Sequence, residues 1–144
     1  MSAKEVFEGT DVCFDQTRRY EILREIFDSL SEHVAVLDRE GCIVDTNLSW
    51  KRFAQDNSLS DQCRLQGENY IEVCDSSRGA SAGEAQHAAL GIRAVLSGEI
   101  PEFSLEYPCH SPLAKRWCLM TVTPLVSHGA IDGAVVSHIQ ITTR

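Results

Sequence analysis

The sequence predicts an α+β fold in which a β-hairpin and several helices precede a run of three antiparallel strands. Residues 103–107 alternate apolar and polar side chains, which is the period of a half-buried strand. Pro108 and Pro112 end this strand, because proline has no N–H group to donate to a sheet ladder. Two further strands are predicted at 115–125 and 132–142, and the last is rich in β-branched residues.

The length of 144 residues predicts a single domain with one hydrophobic core. Hydrophobic residues make up 43% of the chain and charged residues 24%, which is typical of a globular protein. Residues 1–14 show no periodicity and are expected to be flexible. Residues 15–144 are therefore assigned to the domain itself.

The formal net charge of −8 argues against a nucleic acid or an anionic membrane as a partner, since an acidic surface repels both. The N-terminus lacks the charged-then-apolar pattern of a signal peptide. No apolar run reaches the roughly 18 residues of a membrane span. We expect a cytoplasmic protein.

The first helix is predicted over residues 15–32, with Asp15 or Thr17 as its N-terminal cap. Apolar residues recur along it at steps of three and four and make one amphipathic stripe. Such a stripe packs either on the core or on a second copy of the chain, and we expect it to do both in part. The stripe consists of Tyr20, Leu23, Ile26, Phe27 and Leu30.

The hairpin is predicted from strands at 34–38 and 42–46, joined by a turn in which Gly41 supplies the left-handed position. Asn47 follows as the cap of a second helix, and the aromatic residues Trp50 and Phe53 face inward from it.

Two more helices are predicted before the final strands. A turn at Gly67 leads into a short helix that reaches Cys74. A longer helix begins near Ser81 or Glu84 and ends at Leu96, because Gly98 then provides a helix stop.

These elements together resemble a PAS domain, over about residues 20–142. The resemblance rests on the order and spacing of short motifs, which are Asp38-x-x-Gly41-x-Ile43-x-x-x-Asn47, Gly67-x-Asn69 and the three final strands. Two segments are similar to a bacterial PAS subfamily found beside histidine kinases, diguanylate cyclases and chemotaxis-type proteins. They are Glu106-Tyr-Pro-Cys-His-Ser-Pro112, followed by Arg116-Trp117, and Val136-Ser-His-Ile-x-Ile-Thr142.

The resemblance implies a five-stranded antiparallel sheet with helices over one face, preceded by the amphipathic helix. It also implies a sensory module that binds a small ligand or forms a homodimer, through the N-terminal helix and the sheet face, and passes a signal from its last strand to an effector. A ligand would lie between the long helix and the sheet, and a lining with few polar groups favours a small apolar or planar molecule. If these side chains fill the space, the domain is a dimerising transmitter without a ligand. The predicted lining is Phe53, Tyr70, Ile92, Val95, Leu105, Trp117, Leu119 and Val136.

Two cofactors known in the family can be tested against the sequence. In LOV-type PAS domains a reactive cysteine follows the Gly-x-Asn turn, but Tyr70 stands there and cannot form the flavin–thiol adduct. In haem-binding PAS domains a histidine precedes a helix-end glycine by eleven residues, as His87 precedes Gly98. His87 is thus the candidate ligand of a haem gas or redox sensor, although it lies on the polar flank of its helix, where a purely structural role is also expected.

The six cysteines contain no C-x-x-C pair and are predicted to be reduced, structural residues. The alternative is a thiol or metal site around Cys109, His110 and Cys118, completed by His138 or His128. No phosphate-binding loop, nucleophile elbow or kinase signature is present, so no enzyme activity is expected. His138 shares a strand face with Ala134 and Val136, which points it either into the pocket or onto a dimer surface.

Overall fold

A computed structural model describes residues 3–57, 66–77, 82–108 and 117–141 of the chain. The elements follow the order α1 (Ala3–Ser29), β1 (His33–Asp38), β2 (Ile43–Thr46), α2 (Leu48–Asn57), α3 (Tyr70–Asp75), α4 (Ala82–Leu96), β3 (Phe103–Pro108), β4 (Trp117–Ser127) and β5 (Ala130–Ile141).

The strands form one five-stranded sheet in the order β2-β1-β5-β4-β3, and every neighbouring pair is antiparallel. The predicted fold class is therefore confirmed, including the hairpin and the three final strands. The chain returns to the middle of the sheet with β5, which pairs with β1 on one side and β4 on the other. The last strand thus contacts both halves of the sheet.

One face of the sheet, called here the inner face, carries the hydrophobic core. In one row across it, Ala35 pairs with Val136, Val136 with Val122, and Val122 with Phe103. Residues of α2, α3 and α4 complete the same buried cluster. The opposite face, called the outer face, carries the alternate residues of the same strands.

Local side-chain bonds fix the β1–β2 turn and the start of α3. Asp38 accepts hydrogen bonds at Oδ1 from the backbone N–H groups of Glu40 and Cys42, at 2.9 Å each, which closes the turn. Gly41 takes a φ of 92°, a left-handed value that suits glycine. Asn69 caps α3 by accepting from the Glu72 N–H at 3.0 Å.

The N-terminal helix begins at Ala3 rather than near Asp15, so residues 3–14 also lie within α1. Their sequence contains no proline that would interrupt helical hydrogen bonding. The helix ends at Ser29, before the predicted limit of residue 32. There Asn47 Nδ2 donates to the carbonyl groups of Phe27 and Glu32, and this side chain takes up backbone groups that the helix no longer bonds.

Candidate functional site

The most polar part of the inner face is a cluster centred on His138, which we call the inner cluster. The His138 Nδ1 atom lies 2.6 Å from the Tyr107 hydroxyl oxygen, and its Nε2 atom lies 3.2 Å from that of Tyr70. The Tyr107 ring stands edge-on to the imidazole, with centroids 5.7 Å apart. The Trp50 ring lies 5.8 Å from it and 5.7 Å from the Tyr70 ring.

Four elements bring this cluster together. Tyr70 is the first residue of α3, which Asn69 caps, and Trp50 lies in α2. Tyr107 belongs to β3 and His138 to β5, two strands that do not pair but both flank β4. The hydrogen bonds of His138 therefore connect α3, β5 and the far edge of the sheet.

Burial keeps the imidazole of His138 neutral. Desolvation by burial and, to a smaller extent, the charge of the nearby His33 together lower its pKa to about 4. A neutral imidazole has one N–H donor and one acceptor nitrogen. One tyrosine hydroxyl must therefore donate to the ring while the other accepts from it, so the inner cluster is a directed chain of hydrogen bonds.

Most of the predicted lining residues lie on the inner face or in the helices that cover it. Tyr70, Ile92, Val95 and Val136 are buried members of the core cluster, and Leu105 packs against it. Phe53 contacts the His33 ring, with centroids 4.6 Å apart. The first five are thus brought together as packed side chains, while the contact shown for Phe53 is with His33.

Trp117 and Leu119 are placed differently from the prediction. In β4 the buried residues are Cys118, Met120 and Val122, and the residues between them are only partly buried. A shift of one residue along a strand moves a side chain to the other face of the sheet. Trp117 and Leu119 therefore lie on the outer face, and the expectation that they line a space below the helices is corrected.

The surroundings of His87 do not suit a haem group. Its side chain is exposed, and its ring contacts the edge of Phe103, with centroids 5.5 Å apart. One turn along α4, a Cβ atom placed on Gly91 would lie 2.4 Å from the Phe103 ring. Helix α4 and strand β3 thus approach too closely there to admit a flat macrocycle between them.

The thiol and metal alternative rests partly on residues that the structure does not describe. Cys109 and His110 lie outside the described residues, and Cys118 takes part in a disulfide bond, so its expected reduced state is corrected. Cys42 and Cys74 are free thiols, and burial, together with the charge of Asp75, raises the pKa of Cys74 to about 12. Among the described residues, no group of three histidine, cysteine or acidic side chains is arranged to hold a metal ion.

Sequence reasoning missed two members of the inner cluster, Tyr107 and Trp50, as partners of His138. The alternation of residues 103–107 did place Tyr107 on the same face as Leu105. The missing information was the strand order, which places β3 and β5 on the two sides of β4 and so within reach of each other's long side chains.

An open groove of about 350 Å³ lies on the surface, between the β1–β2 turn, α3 and the end of α4. None of the predicted site residues lines it. The groove is lined by Arg39, Glu40, Ile71, Arg93, Leu96 and Ser97.

Among the described helices, none is long and apolar enough to cross a bilayer.

Comparison with known proteins gives one curated relative of high similarity. The chain is 45% identical over 135 residues to an uncharacterized 104.1 kDa protein in the hypE 3′ region of Rhodobacter capsulatus. The match covers 92% of this chain and 14% of that protein, so the chain spans about one seventh of its relative.

Solved structures share the fold at low sequence identity. The PAS domain of BvgS from Bordetella pertussis matches with a TM-score of 0.59 and 16% identity, over 88% of this chain and 89% of that one. The sensor region of a sensor histidine kinase matches with a TM-score of 0.56 and 18% identity, over 76% and 39%. VqmA bound to DPO matches with a TM-score of 0.55 and 18% identity, over 82% and 55%.

The model of the PAS fold family matches residues 27–144, which is most of the chain and includes every strand of the sheet. This match agrees with the strand order and with the similar solved structures. The chain therefore belongs to the PAS family of sensory signalling domains.

Proposed function

We propose that this PAS domain works as a homodimer and relays a signal to an effector such as a histidine kinase or a diguanylate cyclase. The observation that carries the proposal is the exposure of the apolar stripe on α1. Tyr20, Leu23 and Ile26 are 80%, 58% and 52% exposed. Side chains of this kind are rarely left so exposed side by side on a helix unless a partner covers them.

The outer face of the sheet offers a second apolar surface. Trp117 pairs with Ile141 and Leu119 with Ile139, so these four side chains occupy neighbouring positions on β4 and β5. All four are at most partly buried. Burying an apolar side chain of this size is worth roughly 1.5–3 kcal/mol.

A second copy of the chain is a suitable partner for both surfaces. A two-fold dimer presents each patch twice, so that the α1 stripe of one copy can cover the outer face of the other. The charge of −8 makes two copies repel each other at long range, but salt screens this repulsion, and burial of the two apolar patches can exceed it. The predicted interface residues Phe27 and Leu30 lie at the end of the stripe, where Phe27 is partly buried against its own domain.

The relay is assigned to β5. This strand lies in the middle of the sheet, carries His138 on its inner face and carries Ile139 and Ile141 on its outer face. A change in the core therefore reaches the dimer surface within one strand. The likeness to the sensor region of a histidine kinase supports this role at the level of fold.

Light scattering tests the dimer. We expect the wild type to have a dimeric mass at tens of micromolar and Leu23→Glu to be monomeric, because a carboxylate cannot be buried without a partner. Glu25→Lys is the matched control, since it changes a charge on the opposite side of α1 and should remain dimeric. A monomeric wild type at that concentration, or a dimeric Leu23→Glu variant, contradicts the proposal.

A second candidate function, ligand binding at the inner cluster, is favoured by one specific observation. The cluster combines aromatic rings with hydroxyl and imidazole groups inside an otherwise apolar core. A small, planar, uncharged molecule with a hydrogen-bonding group fits this chemistry, because a neutral His138 offers no charge to pair with an ion. The fold is shared with VqmA, whose solved structure has DPO bound.

Two tryptophan substitutions test ligand binding. Ile92→Trp adds bulk to the inner face, whereas Leu119→Trp adds the same bulk to the outer face. If the inner face accommodates a ligand, Ile92→Trp keeps its stability and loses any molecule that co-purifies with the wild type in native mass spectrometry. If the core is closed, Ile92→Trp loses about 1–3 kcal/mol and no molecule is found. The second result would leave the domain as a dimerising transmitter.

A further inference from the structure

The attachment of α1 to the rest of the domain differs from that of the other helices. The apolar side chains Tyr20, Leu23 and Ile26 of α1 face outward, so they do not anchor it to its own core. Its C-terminal end is held instead by polar contacts from the junction of β2 and α2, which comprises residues 45–49. Each of these five residues forms a hydrogen bond with a group in the segment from Arg24 to Val34. We call this set of contacts the polar clamp.

Arg24 supplies the charged half of the polar clamp. Its guanidinium group donates to Asp28 at 3.1 Å, to Asp45 at 2.6 Å and to the backbone carbonyl of Thr46 at 3.2 Å. It also lies over the Phe27 ring, 5.4 Å from the centroid. Asp28 in turn accepts from the Leu48 N–H at 3.0 Å, which joins α1 to the start of α2.

Asn47 supplies the buried half. Its Nδ2 group donates to the carbonyls of Phe27 and Glu32, at 3.1 and 2.9 Å. Its Oδ1 atom accepts from the backbone N–H groups of Val34 and Trp50, at 3.0 Å each. Asn47 is fully buried, so losing any of these bonds leaves a polar group without water to replace its partner.

Trp50 belongs to both the polar clamp and the inner cluster. Its backbone N–H bonds to Asn47, while its ring contacts the rings of Tyr70 and His138. A single residue thus connects the imidazole in the core to the amide that holds the end of α1. A shift of the Trp50 ring that also displaces its backbone changes the bond to Asn47, because the Trp50 N–H donates to Asn47 Oδ1.

We propose that the polar clamp is a releasable attachment for α1, and that Trp50 makes its strength depend on the state of the inner cluster. The inference rests on the proposed function, because α1 carries the stripe assigned to the dimer interface. A signal then changes the position of α1 at the interface with the second copy, in addition to the change that β5 transmits. The regulated quantity is the opening equilibrium of the end of α1.

Hydrogen exchange of the backbone amides in residues 24–34 measures that opening directly. Arg24→Gln removes the charged bonds and should speed exchange there by about tenfold while the amides of β4 and β5 keep their wild-type rates. Ser49→Ala is a milder second variant, because it removes only the 2.7 Å bond from the Ser49 hydroxyl to the Leu30 carbonyl. Arg18→Gln is the control, since among the described residues Arg18 forms its ion pairs with Glu21 and Glu25 of its own helix.

The coupling is tested from the far side of the cluster. Tyr107→Phe removes the hydroxyl bonded to His138 and lies well away from α1, yet it should speed exchange in residues 24–34 by about threefold. Unchanged exchange in Arg24→Gln and Ser49→Ala overturns the polar clamp, and unchanged exchange in Tyr107→Phe overturns the coupling. These results do not depend on the dimer, whose failure would appear separately as a monomeric mass of the wild type.

Discussion

The two faces of the sheet use the same strands for different purposes. On the inner face, Met120, Val122 and Val136 are buried almost completely beneath the helices. On the outer face, their neighbours Leu119, Thr121 and Ser137 are only partly covered, although Leu119 is as apolar as the buried residues. The difference shows that burial in this domain follows strand register and not hydrophobicity alone. The apolar area left on the outer face is the surface that we propose a second copy covers.

The largest expected effect on the free energy of unfolding comes from truncating one side chain on each face of the sheet, at adjacent positions of β4. Met120→Ala should lose about 2–5 kcal/mol of unfolding free energy, because it opens a cavity in the core. Leu119→Ala should lose about 1 kcal/mol or less in the monomer, since its side chain is partly exposed already. Urea denaturation of both variants measures the difference. Equal losses would show that the two faces are buried alike.

The next effect concerns the imidazole on the inner face. Because burial lowers the pKa of His138 to about 4 from an ordinary value of 6.5, the unfolded chain binds the proton more readily than the folded one. The stabilisation is fully present above pH 6.5 and is lost as the pH falls toward 4, by about 2–3 kcal/mol. His33, whose pKa burial also lowers, contributes with the same sign.

Unfolding curves recorded between these pH values check this expectation. The variant His138→Asn lacks the titrating group and should show a smaller fall in stability with acidity than the wild type. A wild type whose stability is constant from pH 6.5 to 4 would mean that His138 accepts a proton in the folded state without cost.

A smaller effect on stability is expected when a glycine on the side of α4 that faces the sheet is replaced by alanine. A Cβ atom at Gly91 would lie 2.4 Å from the Phe103 ring, so Gly91→Ala should cost about 1–3 kcal/mol. Gly83, in the same helix, has no atom within 4 Å of an added Cβ, and Gly83→Ala should be neutral or stabilise by less than about 1 kcal/mol. Thermal unfolding distinguishes the two, and a stabilised Gly91→Ala variant would show that Phe103 moves freely away.

Sequence patterns were sufficient to locate the helices and strands, but they were insufficient to assign which side chains of β4 face the core. The period-2 alternation and turn residues located every strand, because pleat and turn geometry depend on neighbours in the chain. The alternation of β4 did not reveal which set faces inward, since Trp117, Leu119, Met120 and Val122 are all apolar. That choice depends on pairing with β3 and β5, which is tertiary information.

The inner cluster shows the same limit. The position of His138 on one face of its strand was readable from the spacing to Ala134 and Val136. Its bonds to Tyr70 and Tyr107 were not, because they join residues 68 and 31 positions apart. Likewise, the capping role of Asn47 was predicted. Its bonds to the end of α1 were not, because the hairpin must first fold back and bring Asn47 beside residues 15 and 20 positions earlier.

The most direct test of the outer face as a dimer interface uses the two tryptophans of the chain, Trp50 in the core and Trp117 on the outer face of the sheet. The wild type can be labelled with 5-fluorotryptophan and followed by fluorine NMR over a range of protein concentrations, with Trp117→Phe assigning the resonances. We expect the Trp117 resonance to shift or broaden as concentration rises, because a second copy covers it, while the buried Trp50 resonance stays fixed. A Trp117 resonance that is unchanged into the tens of micromolar would contradict the outer face as the interface.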